Sequence, residues 1–363
     1  MHGRPLLASA VTVALAAALG SGAAPTAEAA VTPGTLTVPA SPGLAGTGVQ
    51  VAANRSGAAV AVWRTPGSHG AAFRSATRAP GRAWSRPGVA VKIPRGPAYH
   101  LLKVVLDDRG TAHLLWSVSA RGKGGGHLYV ATKRRSGGWS RRQEVGPATI
   151  HKTLDVVEKA DLAVAPDGTA SVLWVAGGND ESVLVVKHLA ILGVQTQARG
   201  SSRWSKAKVL FTGQNAAGVD LQVDRRGNAL ATWVTQPPEI DSAPARFAFR
   251  TAHGRWSKPH ALPDLAGDGD TAYDRPTLVD GRIHLFNQQY TGGGGSPAPG
   301  TYALLGRSGT PSTPEPIALP GEAARSGGWL GGGTEYESAA AVDGTGRPTV
   351  VYPTDAAVLP KGG

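Results

Sequence analysis

Two clusters of charged and aromatic residues in the second half of the chain could bind or cleave an acidic sugar. Tyr273, Asp274 and Arg275 are consecutive in one long connecting segment, and Glu335 and Tyr336 are adjacent in another. A guanidinium pairs with an acidic group, and a tyrosine can serve as the nucleophile in glycoside hydrolysis. The alternative interpretation is that these are solvated loop residues without a chemical role.

Two weaker signals accompany these clusters. Trp329 stands in the glycine-rich stretch "SGGWLGGG", where an exposed indole could stack on a sugar ring or, alternatively, cap the core. Asp268 and Asp270 flank Gly269, a spacing at which carboxylates can wrap Ca²⁺, although no complete calcium loop follows. A solvated acidic turn is the competing interpretation of that segment.

The sequence lacks the common cofactor and nucleophile motifs. It contains no phosphate-binding glycine loop, no serine nucleophile elbow and no H-E-x-x-H zinc motif, so we expect no cofactor. His113 and His284 occupy equivalent positions in the repeats described below, and we expect both to pack in the core.

The N-terminus predicts export from the cell. Residues 1–30 combine His2 and Arg4, a short apolar run of mostly small residues and an "AEAA" cleavage site, which is typical of a secretory signal peptide cut near Ala29 or Ala30. The apolar run is shorter than the roughly 20 residues that a membrane helix needs. The chain has no cysteine, so an extracellular protein of this sequence depends on its core rather than on disulfides.

The chain is basic, with 37 Lys and Arg against 25 Asp and Glu and a net charge of +12. Outside the cell this charge favours an extracellular polysaccharide or a cell-surface protein as partner. Nucleic acid is not expected, because the cations are spread over the whole chain and no nucleic-acid motif is present. No segment of the mature chain is apolar for long enough to span a membrane, and we expect a monomer.

A repeat of about 53–65 residues organises the whole mature chain. In most copies an Asp or Asn stands three residues before a Gly, and an aromatic residue stands six residues after that Gly, as in "NRSGAAVAVW" and "DDRGTAHLLW". The six glycines are Gly57, Gly110, Gly168, Gly227, Gly281 and Gly346. Alternating apolar runs around each turn predict hairpins, and four short strands per repeat predict an all-β, six-bladed β-propeller.

The two ends of the chain predict how this ring closes. The fifth repeat contains "TPEPIALP" at 313–320, and the mature N-terminus carries the similar "TPGTLTVP" at 32–39. We therefore expect the N-terminal strand to complete the sixth blade and to remove an open sheet edge. Residues 31–363 then form a single domain; a β-sandwich is the alternative.

Four tryptophans precede a serine in the outer part of successive repeats, namely Trp84, Trp139, Trp204 and Trp256. A ring at this position can cover the seam between neighbouring blades, and its indole N–H can reach a loop carbonyl there. An aromatic binding comb is the functional alternative. Trp63, Trp116, Trp174 and Trp233, which close the second strands, are expected in the core.

These turns resemble the Asp-box of sialidases and their BNR-repeat relatives, S-x-D-x-G-x-x-W. In the closest copy Thr77 stands for Ser and Gly81 and Trp84 match, but Ala79 occupies the Asp position. The resemblance implies a propeller fold. Catalysis in that family uses three substrate-binding arginines, a Tyr–Glu pair and an Asp. The R-I-P motif that usually contains the first of these arginines is missing from this sequence. The segment "KIPR" at 92–95 contains Arg, Ile and Pro, but in a different order from R-I-P.

Loop lengths predict which face binds ligand. The turns between first and second and between third and fourth strands are short, whereas the other connections are long and irregular, and such variation marks a functional face. We therefore predict a secreted, non-catalytic propeller that binds extracellular glycan or protein through its long-loop face. A divergent sialidase-like hydrolase and a purely structural scaffold are the alternatives.

Overall fold

The computed structural model describes residues 49–67, 70–94, 98–119, 126–146, 155–180, 187–214, 216–235, 245–263, 272–273, 276–288, 301–316, 339–342 and 348–351. Every regular element in these segments is a β-strand, so the chain is all-β there. None of them contains a helix of the length and hydropathy needed to cross a bilayer. The chain divides into two compact units, with the boundary between Val223 and Asp224.

Unit 1 contains three antiparallel sheets, each with four strands in chain order. The first sheet has β1 (Gln50–Ala53), β2 (Ala59–Gly67), β3 (Gly70–Arg78) and β4 (Gly88–Pro94). The second has β5 (Ala98–Leu106), β6 (Ala112–Ser119), β7 (His127–Lys133) and β8 (Gln143–Val145). The third has β9 (Asp155–Val164), β10 (Ala170–Asp180), β11 (Lys187–Gln197) and β12 (Lys208–Gln214), and β13 (Ala216–Val223) ends the unit.

Unit 2 repeats the antiparallel pattern with shorter strands. Its first strands are β14 (Ala229–Thr235), β15 (Ala245–Arg250) and β16 (His260–Ala261), which pair in that order. A five-stranded sheet follows, made of β17 (Ala272–Tyr273), β18 (Thr277–Val279), β19 (Arg282–Gln288), β20 (Thr301–Leu305) and β21 (Glu315–Pro316). The last pair is β22 (Ala339–Val342) with β23 (Pro348–Val351).

The predicted hairpin turns form as the repeat indicated. In the second sheet the N–H of Gly110 donates to the carbonyl of Asp107 at 2.9 Å, and Gly110 has φ +80°. The Asp107 carboxylate accepts from the N–H groups of Arg109 and Thr111 at 3.0 and 2.6 Å, the usual way in which an aspartate holds a turn. Gly57, Gly168 and Gly227 make the same N–H bond in their turns. Gly281 instead lies in a two-residue turn with Asp280, both at positive φ, and Gly346 lies outside the described residues.

The second sheet of unit 1 is buried on both faces by its neighbours. Successive residues of a strand point to opposite faces. Accordingly Leu114 packs with Phe73 of the first sheet, whereas Leu115 packs with Leu162 of the third. The first strands also lie side by side, β1 next to β5, β5 next to β9 and β9 next to β13. This two-sided burial explains why the second strands are almost continuously apolar.

The predicted core tryptophans are confirmed. Trp63, Trp116, Trp174 and Trp233 are each at most 1% exposed. The all-β class and the antiparallel four-stranded sheets are confirmed as well. The signal peptide, the closing segment 32–39 and a sixth blade concern stretches that lie wholly or partly outside the described residues, so they stay predictions.

Candidate functional site

Most of the residues predicted to bind ligand lie outside the described part of the chain. Tyr273 ends β17, where its backbone pairs with Asn287 of β19. The remaining candidates lie outside the described residues: Asp274, Arg275, Trp329, Glu335, Tyr336 and the calcium candidates Asp268 and Asp270. The structure therefore does not test whether these residues come together, and the site on the long-loop face stays a prediction.

Two of the Trp-Ser tryptophans join neighbouring sheets, as the seam hypothesis predicted. The indole N–H of Trp139 donates to Ser75 Oγ of the first sheet at 2.9 Å. The indole N–H of Trp204 donates to Gln143 Oε1 of the second sheet at 3.0 Å. Both acceptors are side-chain oxygens rather than the loop carbonyls that we expected. The contacts favour a structural role for these rings over a binding comb.

The serine of the Trp-Ser motif has a structural role that the sequence interpretation missed. The N–H of Ser140 donates to the carbonyl of Thr132 at 2.7 Å, and the N–H of Thr132 donates back to Ser140 Oγ at 3.0 Å. Ser85, Ser205 and Ser257 bind the third strands of their own sheets in the same way. Ser312 does so in the fifth repeat, where Pro311 stands in place of tryptophan. The repeated serine thus marks this pair of hydrogen bonds, although four of the five serines, all but Ser257, are exposed to solvent as expected.

The first strands of unit 1 share an ion pair between a half-buried lysine and a buried aspartate. Lys103 Nζ of β5 lies 2.5 Å from the carboxylate of Asp161 on β9. Asp161 also accepts from the N–H groups of Leu162 and Leu221, each at 2.8 Å. Burial raises the pKa of Asp161, and the Lys103 ammonium and these hydrogen bonds oppose that shift. Since every partner belongs to the fold, the carboxylate fits a role in joining β5, β9 and β13 rather than in catalysis.

A second candidate surface lies where the short turns meet. We call it the turn end of unit 1: the segments 54–58, 79–83, 107–111, 134–138, 165–169 and 198–203. The Asn54 side-chain amide donates to the carbonyl of Asp107 at 2.9 Å, which brings the first two sheets together here. Arg109 Nη1 donates to the carbonyl of Asp167 at 3.3 Å, which does the same for the second and third sheets.

Positive charge collects at the turn end. Its segments contain Arg55, Arg82, Arg109, Arg134, Arg135, Arg199 and Arg203 against Asp107, Asp108 and Asp167. All seven arginines are exposed, whereas Asp107 is buried and bound to its own turn. Most Lys and Arg of unit 1 lie outside these segments, as the expectation of spread cations holds, but these seven share one end of the unit. Residues far apart in sequence occupy equivalent turns, and the stacked sheets bring those turns to one end.

A cleft of about 310 Å³ opens between the first and second sheets at the turn end. We call it the first-seam cleft. Its cationic lining residues are Arg78, Arg109, Lys133, Arg134 and Arg135, and its carboxylate is Asp108. Ser56, Ala58, Ala79 and Pro80 are among the uncharged residues of the wall. The lining contains no aromatic ring.

Packing fixes three of these cations in place. The guanidinium of Arg78 lies 5.6 Å from the centre of the Trp84 ring. The side-chain stem of Arg135 lies against Gly110, where an added Cβ would be 3.6 Å from Arg135 Cβ. Lys133 Nζ donates to the carbonyl of Gly137. The cleft is therefore a preformed basic site that could hold an anionic group.

The described residues offer no site for a metal ion. No group of three or more His, Asp or Glu side chains comes together among them. His113 and His284 are buried, at 5% and 2% exposure, as the packing interpretation predicted. Burial lowers the pKa of His113 to about 4, and it also lowers the pKa of His284.

Comparison with known proteins gives fold-level likeness at low similarity. No protein-family model matches the chain, and no curated protein matches its sequence. A Hadza microbial sialidase is 10% identical, with a TM-score of 0.41, covering 70% of this chain and 55% of its own. The polysaccharide lyase Uly1 is 11% identical, with a TM-score of 0.43 and coverages of 70% and 57%.

The NanB sialidase of Streptococcus pneumoniae is 11% identical, with a TM-score of 0.41, and the match covers 84% of this chain and 64% of the sialidase. The chain thus spans 55–64% of the length of these three structures. Their activities are not transferred to this chain, because a shared architecture hosts many unrelated functions.

Proposed function

We propose that the protein is an exported, non-catalytic six-bladed β-propeller that binds an acidic extracellular polysaccharide. The observation that supports this best is the concentration of exposed arginine at the turn end of unit 1. Clustered guanidinium groups attract polyanions and bind carboxylate, sulfate or phosphate oxygens in bidentate fashion. The excess of cations over the whole chain, +12, acts in the same direction.

Binding without turnover is favoured by the hydrogen bonds and the ion pair that occupy three buried carboxylates. Glycoside hydrolysis needs two groups at a fixed separation on either side of one bond. Asp107 and Asp224 hold backbone N–H groups of their own turns, and Asp161 pairs with Lys103. These three carboxylates therefore support strands and turns, and none supports a catalytic pair.

The long-loop face is part of the same proposal as a second surface. There Arg275 would contact an acidic group, Tyr273, Tyr336 and Trp329 would stack on sugar rings, and Glu335 would accept hydroxyl protons. This assignment rests on loop length and residue type. A cell-surface protein remains the other class of partner that the sequence predicts for this face.

The proposal is tested by binding the purified protein to a charge series of polysaccharides. We expect heparin, dextran sulfate and polygalacturonate to bind, with affinity that falls as salt rises, and neutral dextran not to bind. Equal affinity for neutral and acidic polymers would overturn the proposal. The same protein is incubated with an arylglycoside of an acidic sugar, and measurable turnover would replace it with the sialidase-like hydrolase.

A further inference from the structure

We propose that the first-seam cleft is a binding site for a single oxyanion group on a sugar: a sulfate ester, a phosphate ester or a carboxylate. The inference rests on the proposed function and assigns its charge recognition to one place. The site lies on the turn end of unit 1 and uses none of the long-loop residues predicted from the sequence.

Uncompensated charge is the first argument. Five cationic side chains line the cleft, and Asp108 is the one carboxylate among its lining residues. Within the described segments none of the five forms an ion pair with a carboxylate; Arg109 and Lys133 donate to backbone carbonyls instead. In unit 2, by contrast, Arg225 of one turn is bound to the Asp280 carboxylate of another. Cations left without anionic partners in a concave wall favour an anion from outside.

Arg78 supplies the second argument. Its Nε is buried and has no hydrogen-bond partner in the protein, although its guanidinium is held over the Trp84 ring. Since an atom closed to water is also closed to a ligand oxygen, Arg78 would contribute through its charge and its fixed position in the cleft wall. Because the ring already fixes the guanidinium, little side-chain freedom would be lost when an anion binds.

A difference between repeats explains why the cavity occurs at this seam. Ser56 of the first sheet occupies the turn position that Arg109 occupies in the second, one residue before the positive-φ glycine. Arg109 spans the next seam and donates to the Asp167 carbonyl. Ser56 is short and binds Asn54 Oδ1 of its own turn at 2.8 Å, so it does not reach the neighbouring sheet. The space that Arg109 fills at the second seam therefore remains open at the first.

Size and lining favour a charged sugar over a nucleotide. About 310 Å³ is at the lower end of the range for small-molecule sites, enough for an oxyanion with part of its sugar ring. Single-stranded nucleic acids are held by aromatic side chains on which their bases stack, and the cleft lining has none. Recognition here would act through the charged group.

Calorimetric titration of the purified protein tests the inference with glucosamine 6-sulfate, glucose 6-phosphate and glucuronate, and with neutral glucose as reference. We expect at least one charged sugar to bind and glucose not to bind. The sugar with the highest affinity identifies which oxyanion the cleft takes. If no charged sugar binds, the inference is wrong.

Three variants locate that binding. Arg78→Gln removes one cation of the cleft wall, and Ser56→Arg fills the cleft as Arg109 fills the next seam. Each should weaken charged-sugar binding at least about tenfold, the equivalent of one charged hydrogen bond. Arg141→Gln is the matched control, since it removes one exposed cation outside both the turn end and the cleft lining and should leave this affinity unchanged. Ser56→Arg adds charge, so unchanged or tighter binding in this variant would contradict the inference even if Arg78→Gln does not fold.

The two proposals fail in different ways. If acidic polysaccharides bind but no charged monosaccharide does, the cleft is not the site and the proposed function stands. If charged monosaccharides bind in the cleft but the polymers do not, the site stands and the proposed function fails. A single-stranded polynucleotide that binds more tightly than every polysaccharide would overturn the choice of ligand class.

Discussion

Trp139 of the second sheet and Ser75 of the first are joined by a hydrogen bond of 2.9 Å from the indole Nε1 to the serine Oγ. Ser75 is 6% exposed, and Trp139 packs against the cluster that contains Phe73 and Trp116. The bond therefore links two sheets at the edge of a shared core. The same relationship recurs one sheet later between Trp204 and Gln143.

A double-mutant cycle measures this link. Trp139→Phe keeps a ring and removes the donor, and Ser75→Ala removes the acceptor; we expect a coupling free energy of about 0.5–1.5 kcal/mol in urea unfolding. Full truncation by Trp139→Ala or Trp256→Ala should cost about 3–5 kcal/mol. Polysaccharide binding should survive in every variant that folds. Loss of binding with unchanged stability would instead support the aromatic comb.

Gly193 predicts a second, steric effect on stability. It pairs with Trp174 across the β10–β11 ladder, and a Cβ at this position would be 2.2 Å from Cζ2 of the indole. Gly193→Ala should therefore destabilise the protein by about 1–3 kcal/mol, as overpacking does. Gly88→Ala is the matched control, because nothing lies within 4 Å of its added Cβ. Equal unfolding midpoints for the two variants would show that the ring can move aside.

His113 predicts a pH dependence of stability. Burial lowers its pKa to about 4 from an ordinary value near 6.5, and neither ring nitrogen has a hydrogen-bond partner. The folded protein holds the ring neutral while the unfolded chain takes up a proton below pH 6.5. Stability from this residue is thus present above pH 6.5 and is lost as the pH falls to about 4, by up to about 3 kcal/mol.

His113→Leu should remove this dependence. Urea unfolding at pH 7 and pH 4.5 should show a smaller loss for the leucine variant than for the wild type. At pH 7 the variant should be no less stable, because it buries no unpaired polar atom. Identical losses on acidification would mean that His113 titrates alike in both states.

The sequence predicted those parts of the fold that depend on local chemistry. The Asp107 turn could be predicted because an Asp followed by a Gly three residues later leaves few backbone conformations. The burial of Trp116 could be predicted because a tryptophan recurs at the same position of an apolar strand in four successive repeats, although the strand continues beyond it to Ser119. In both cases the same local pattern recurs in several repeats, so the prediction needed no information about contacts between residues distant in sequence.

The candidate site depends on contacts between repeats, which local patterns do not contain. Ser56 and Arg109 are equivalent in the alignment, but their consequence appears at the seam, where one residue reaches the next sheet and the other does not. Similarly, arginines that are scattered in the sequence share one end of the stacked sheets. A comparison of the residue before each turn glycine could have indicated the difference, but not the cavity that results.

Ring closure is the prediction with the largest expected effect. Deletion of Thr32–Pro39 should remove the outer strand of the proposed sixth blade and expose a sheet edge, which invites pairing with other chains. We expect aggregation in light scattering and a broadened thermal transition. A chain in which residues 32–39 are replaced by a Gly-Ser linker of equal length controls for chain length and should behave like the deletion. A melting transition identical to that of the wild type would contradict closure by this segment.

The double variant Arg275→Ala with Tyr336→Phe separates binding from hydrolysis on the long-loop face. A binding protein should lose part of its affinity for an acidic polysaccharide, because Arg275 would contact the acidic group whereas the ring kept at position 336 would still stack. A hydrolase should instead lose turnover of an arylglycoside of an acidic sugar by orders of magnitude, because one residue would hold the substrate and the other would attack it. Arg141→Gln is the charge control, since it removes one exposed cation outside the turn end and outside the long connections and should leave both binding and turnover unchanged. Wild-type turnover that the double variant abolishes would establish the hydrolase, and a double variant that alters neither binding nor turnover would favour a scaffold role for this face.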